Sequence, residues 1–154
     1  MSFTFIIGAI VAYLLGSIPS GLWVGQYFFK KDIRQFGSGN LGSTNAFRVL
    51  GKKAGSLVLF FKGFLAMILA LTIFKQPDIS PLWIASFAVI GHTFPIFASF
   101  KGGKAVATFA GMILAYQPLL LLYGLIIFLV LLAITRMVSL TAMVTITLGV
   151  FLSL

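Results

Sequence analysis

Gly37-Ser-Gly-Asn-Leu-Gly-Ser-Thr-Asn-Ala-Phe-Arg48 is a polar, glycine-punctuated island in a chain that is strongly apolar on both sides of it. It holds three glycines, two serines, a threonine, two asparagines and a terminal arginine, and no acid. Glycines let backbone N–H groups turn towards an anion, short hydroxyls and amides add neutral donors, and arginine adds a fixed charge. Upstream lies an apolar run from Phe3 to Phe29, and downstream another from Ala54 to Phe74. An island of this kind between two such runs reads as a loop joining membrane-spanning helices. Of the 154 residues, 60% are hydrophobic and 8% charged, with a mean hydropathy of +1.15. A soluble domain carries about a quarter charged residues, so the expected class is an all-α, polytopic transmembrane bundle forming one unit over 1–154.

The remaining segments follow from the same contrast. Leu82–Phe100, Ala105–Tyr116, Leu119–Thr135 and Ser139–Leu154 are expected to be helical, giving about six spans. Lys75–Pro81 is a short polar turn, Lys101–Lys104 a loop, Gln117-Pro118 a break and Arg136 a final loop. Gly16-Ser-Ile-Pro-Ser-Gly21 should kink or unwind the first segment. Non-helical backbone at membrane depth must face protein or a wet cavity, so this break could line a site or serve packing alone. The opening Met-Ser-Phe-Thr-Phe has no basic leader, so the first segment is expected to be a retained helix. The final segment, 16 residues long, falls below the usual minimum of about 17, as if the chain stopped before its natural end.

The net charge is +9, from 11 Lys and Arg against Asp32 and Asp78. In this setting the excess marks topology and anionic headgroups, with no nucleic-acid partner. Alternate loops divide sharply. One side carries Lys30, Lys31, Arg34, Arg48, Lys52, Lys53, Lys101, Lys104 and Arg136, and the other only Lys75 with Asp78. The basic side, with both polar islands, is expected in the cytoplasm and the N-terminus outside. No cysteine is present, which excludes thiolate and zinc–thiolate chemistry, and two acids with one histidine make no metal cage. No metal or cofactor is expected.

The second island, Gly91-His-Thr-Phe-Pro-Ile-Phe-Ala-Ser-Phe-Lys-Gly-Gly-Lys-Ala-Val-Ala-Thr108, repeats the logic of the first. Lys101 and Lys104 flank Gly102-Gly103, where backbone and ammonium groups could converge on an anion; alternatively both snorkel. Gly37, Gly39, Asn40, Gly42, Thr44 and Asn45 form the candidate nest, and Arg48 follows at helical spacing as a bidentate phosphate ligand. Gly37-x-Gly39-x-x-Gly42 meets a dinucleotide fingerprint in letters only, since neither the strand before it nor the acid after it is present. It is not a Walker loop either. His92 is a site residue or a hydrogen-bonded packing residue. Lys62, inside the second apolar segment, either snorkels or pairs, with Asp32 as the one acid on that side. No acid is placed to orient His92 in a triad, so direct transfer in a ternary complex is favoured over a covalent intermediate. Together the two islands point to a phosphorylated substrate at the membrane surface.

Gly16–Gly21, Gly37–Arg48 and Gly91–Thr108 resemble, in order and spacing, the three motifs of the bacterial acyl-phosphate:glycerol-3-phosphate acyltransferases. The resemblance covers essentially the whole chain. It implies a multi-span inner-membrane enzyme with cytoplasmic motif loops. Such an enzyme moves a fatty acyl group from acyl phosphate to the 1-hydroxyl of glycerol 3-phosphate, giving lysophosphatidate and phosphate for phospholipid synthesis. It also implies membrane lipid around the site and an acyl-phosphate-producing enzyme as a candidate partner. By the same carry-over, Ser38, Arg48 and Lys104 take glycerol 3-phosphate, Gly39–Asn45 holds the acyl phosphate, and His92 and Lys101 line the site. Two departures are visible. Family members carry an Asp shortly before the position of Lys62-Gly63, where this chain has Leu59-Phe60-Phe61. They also continue through a further span to a basic C-terminal segment. The alternatives are an inactive, truncated family member and a transporter of a phosphorylated metabolite.

Overall fold

A computed structural model describes residues 3–68 and 81–152. Among the described residues every regular element is helical. The helices are α1 (Phe3–Gly16), α2 (Ser20–Phe29), α3 (Ser43–Leu50), α4 (Lys52–Ile68), α5 (Pro81–Thr93), α6 (Val106–Tyr116), α7 (Pro118–Thr135) and α8 (Val138–Leu152). They gather into two compact units, Met1–Tyr116 and Gln117–Leu154.

In the first unit, the expected break of the first segment separates α1 from α2. Pro19 has no N–H to continue a helix, and Ser17 turns both its N–H (2.9 Å) and its hydroxyl (2.8 Å) back onto the Tyr13 carbonyl. Helix α2 ends in a left-handed Lys30, with the Lys31 N–H closing on the Gly25 carbonyl at 3.0 Å.

Backbone packs directly on backbone at the helix crossings. A Cβ on Gly16 would strike the Ala88 carbonyl, and one on Gly91 the Tyr13 carbonyl, so α1 and α5 touch at two reciprocal points. Tyr13 then donates its hydroxyl to the Phe94 carbonyl at 2.9 Å. A Cβ on Gly111 would likewise collide with the Gly63 carbonyl where α6 crosses α4. Small residues at such crossings let helices approach without a hydrophobic drive between them. Beneath the first island, Ile33, Leu41, Ala46 and Val58 form a buried apolar cluster.

Three expectations are corrected. The stretch Lys30–Lys53 is not a loop throughout, because it contains a 3₁₀ turn at Ile33–Gln35 and all of α3. The third segment does not run to Phe100. Helix α5 ends at Thr93, since Pro95 cannot continue it, and a short 3₁₀ turn follows at Ile96–Ala98. The second segment starts at Lys52, two residues early; its end and the Lys75–Pro81 turn lie outside the described residues.

The second unit is an antiparallel hairpin of α7 and α8. Arg136 adopts a left-handed conformation and closes α7 on the Leu132 carbonyl at 2.9 Å. Thr135 and Thr141 share a hydroxyl contact of 2.9 Å across the turn. No residue of α7 is buried within the structure, although the helix is apolar all round. Phe3–Phe29 and Pro118–Thr135 are the two helical stretches among the described residues that are long and apolar enough to cross a membrane.

Candidate functional site

The first island is an internally braced turn leading into a helix. Gly37 (φ +63°) and Gly39 (φ +69°) take left-handed conformations that other residues adopt only at a cost. Asn45 is buried and points back under the turn. Its Oδ1 accepts from the Ser38 N–H at 2.9 Å, and its Nδ2 donates to the carbonyls of Ile33 (2.8 Å) and Phe36 (3.1 Å). Asn40 Oδ1 accepts the Gly42 N–H at 2.9 Å, and the Gly39 N–H reaches the Phe36 carbonyl at 3.1 Å. The amides of Ser38, Gly39 and Gly42 are therefore already engaged.

This relocates the anion-binding potential. Asn45 braces the loop, and the donors the loop presents are the first-turn amides of α3. Gly42 caps that helix without a side-chain hydrogen bond, and first-turn N–H groups have no partner within any helix. A helix N-terminus attracts phosphate through these amides and its dipole. Ser43 and Thr44 supply hydroxyls on the same turn. Arg48, one turn on, is exposed, and its Cδ lies beside Gly37, 3.1 Å from where a Cβ would sit. Ser38 and Thr44 are also exposed.

The second island folds onto the first. The Gly103 N–H donates to the His92 carbonyl at 3.1 Å. A Cβ on Gly103 would run into His92 Nε2 and lie 3.2 Å from Asn40 Oδ1. Gly103 thus sits where the ring of His92 and the amide of Asn40 meet, and a side chain there would fill the junction. A Cβ on Gly102 would strike the carbonyls of His92 and Thr93. The loop from Ser99 to Ala105 holds three non-glycine residues at positive φ, Ser99, Phe100 and Ala105, a strained backbone of the kind found around binding sites. Lys101 and Lys104 stand exposed at the two ends of the glycine pair.

Lys62 is the residue whose surroundings the sequence did not disclose. Its side chain is 7% exposed, and its Nζ lies 3.1 Å from the Ile18 carbonyl and 2.7 Å from His92 Nδ1. It does not pair with Asp32. That carboxylate is held by the Arg34 guanidinium at 2.6 Å, which keeps it below the ordinary carboxylate range. The helix break, α4 and α5 therefore meet at one buried amine. A small cavity beside it is lined by Ser20, Lys62 and Thr108 among apolar neighbours.

The profile of the glycerol-3-phosphate acyltransferase family matches residues 6–154. The chain belongs to that family. Among curated relatives named glycerol-3-phosphate acyltransferase, the Enterococcus faecalis protein is 60% identical over 88% of this chain and 64% of its own length. The Listeria welshimeri protein is 52% identical over all of this chain and 80% of its own. This family member thus spans 64% to 80% of those two relatives. It is also similar to a crystal structure of PlsY (YgiH), an integral membrane glycerol 3-phosphate acyltransferase in its glycerol 3-phosphate form. The TM-score is 0.84 and the identity 39%, over 96% of this chain and 74% of that one. The lysophosphatidic acid form matches with a TM-score of 0.81.

Within this acyltransferase-family fold, seven of the sequence-derived site residues fall into two groups. Asn40, His92, Gly102 and Gly103 come together at the junction of the islands. Gly37, Asn45 and Arg48 cluster on the outer side of the first island. The amide end of α3 was not anticipated, and Lys62, which was expected to snorkel or pair, has His92 as its partner. The one signal for the first was Gly42-Ser43, a helix start hidden in a composition typical of loops.

Proposed function

We propose that this chain transfers a fatty acyl group from acyl phosphate to the 1-hydroxyl of glycerol 3-phosphate, as a single acyltransferase domain at the cytoplasmic face of a bacterial inner membrane. The observation that carries the reading is the junction at Gly103, where the two phosphate-suited islands meet beside His92. The names of the family's relatives and of the solved PlsY forms supply the acceptor and product classes. The apolar, unburied surface of α7 supports a lipid setting, and the charge asymmetry supports six spans with both islands inside.

In this reading Arg48, Ser38 and Lys104 take the acceptor's phosphate. The first-turn amides of α3, with the hydroxyls of Ser43 and Thr44, take that of the donor. Lys101 lines the approach. The hydroxyl oxygen attacks the acyl carbonyl carbon, the bond from that carbon to the phosphate oxygen breaks, and lysophosphatidate and inorganic phosphate leave. The hydroxyl proton ends on the departing phosphate. Because the donor is already activated, the protein's work is alignment and charge stabilisation.

A membrane assay with acyl phosphate and labelled glycerol 3-phosphate tests this directly. Lysophosphatidate should form with the wild type. Arg48→Ala should lower kcat/KM by about 10²-fold, as expected for loss of a charge-assisted phosphate contact. No product from folded wild-type protein would overturn the proposal. A second substitution tests the proton's route. If the donor phosphate accepts the proton, His92→Gln retains a kcat within about tenfold of wild type. A drop of about 10²–10⁴-fold would instead make His92 the general base.

A further inference from the structure

We infer that Lys62 is a positioning residue that fixes the tautomer of His92, so that the imidazole aims an N–H from Nε2 at the junction of the two islands. The hydrogen-bond pattern around the amine carries this. Lys62 Nζ touches two groups, the Ile18 carbonyl at 3.1 Å and His92 Nδ1 at 2.7 Å. A carbonyl only accepts, so one N–H is committed there. An ammonium has donors and no acceptor. The nitrogen facing it must then be unprotonated, which leaves the proton of the neutral ring on Nε2. The assignment is that of an ammonium at Lys62, since a neutral amine has both N–H groups and a lone pair and would not by itself fix the direction.

The Ile18 carbonyl anchors this geometry. Residues Ser17–Pro19 interrupt the α1–α2 helix, and the carbonyl inside the break is presented to α4. It therefore holds Lys62 against His92 across three elements. The His92 backbone is held from the other side, where its carbonyl accepts the Gly103 N–H at 3.1 Å. With the ring fixed at Nδ1 and the backbone fixed at the carbonyl, Nε2 faces Gly103 and Asn40. A donor at that point suits a phosphoryl or carbonyl oxygen and is the wrong polarity for removing a proton. This use rests on the acyltransferase reading above; the tautomer itself rests on the hydrogen bonds of the Lys62 ammonium.

This 154-residue chain contains one histidine, so nitrogen-15 histidine labelling of the chain in nanodiscs reports on this ring and no other. The wild-type spectrum at neutral pH should show a protonated, pyrrole-like Nε2 and an unprotonated, pyridine-like Nδ1. Lys62→Met should replace this with the averaged signals of two exchanging tautomers, which a merely structural role for Lys62 would not produce. A wild-type spectrum with the proton on Nδ1 overturns the assignment even if the variant fails to fold. So does a folded Lys62→Met protein that keeps the wild-type pattern. If that pattern is found but no lysophosphatidate forms, the acyltransferase reading fails and the tautomer assignment stands.

Discussion

Asn45→Ala is expected to lower lysophosphatidate formation by at least about 10²-fold, although Asn45 touches no substrate in the arrangement described. Its side chain accepts from the Ser38 N–H and donates to the carbonyls of Ile33 and Phe36. Alanine would strand the Ser38 N–H and strip one donor from each carbonyl, leaving Ile33 with the Phe36 N–H at 3.4 Å and Phe36 with the Gly39 N–H at 3.1 Å, and a polar group left buried without a partner costs about 1–3 kcal/mol. The island would relax to regain partners from water, moving Gly37 and the turn that feeds α3. A displacement of about 1 Å in a positioning element can cost 10²-fold in rate. Asn45→Asp should be as damaging despite its near-identical shape, because it removes both donors and sets a carboxylate against two carbonyl oxygens. Side-by-side rates and thermal unfolding of the two variants check this. Near-wild-type rates for Asn45→Ala would remove it from the role of brace.

Gly91→Ala should destabilise the α1–α5 pair and disable the site together. The new Cβ would meet the Tyr13 carbonyl and lie 3.0 Å from the Ser17 nitrogen, both backbone atoms that cannot rotate away. The helices would have to separate, at a cost of about 1–3 kcal/mol for overpacking. Separation also pulls Tyr13 from the Phe94 carbonyl and shifts His92, the next residue. A lower unfolding temperature in detergent, with loss of acylation in protein that remains folded, is the expected pair of results. Gly149→Ala is the matched control, since a Cβ there meets nothing within 4 Å. Equal behaviour of the two variants would contradict the close crossing.

What the sequence disclosed and what it withheld divide along physical lines. The helix break at Gly16–Gly21 was readable because proline and glycine act locally, and the structure separates α1 from α2 there. The fifth segment was readable to within a residue because Pro118 starts it and an unbroken apolar run fills it. Helix α3 was not, because serine, threonine and asparagine at a helix start look like loop residues until their hydrogen bonds are known. The inward turn of Asn45 and the pairing of Lys62 with His92, 30 positions away, depend on tertiary contacts that no local pattern carries. Phosphate-suited residues were recognisable as a set, but the division between those that brace and those that face outward needed the fold.

The reciprocal contacts of α1 and α5 also bear on how the protein meets bilayers of different thickness. At Gly16 against Ala88 and at Gly91 against Tyr13 backbone meets backbone, with no side chain at either point to change rotamer, so the pair resists sliding or splaying. A mismatch between its apolar length and the surrounding hydrocarbon must then be absorbed elsewhere, by tilting the pair together or by thinning or thickening the lipid around it. The junction beside His92, built on the end of α5, would keep its shape as lipid composition changes.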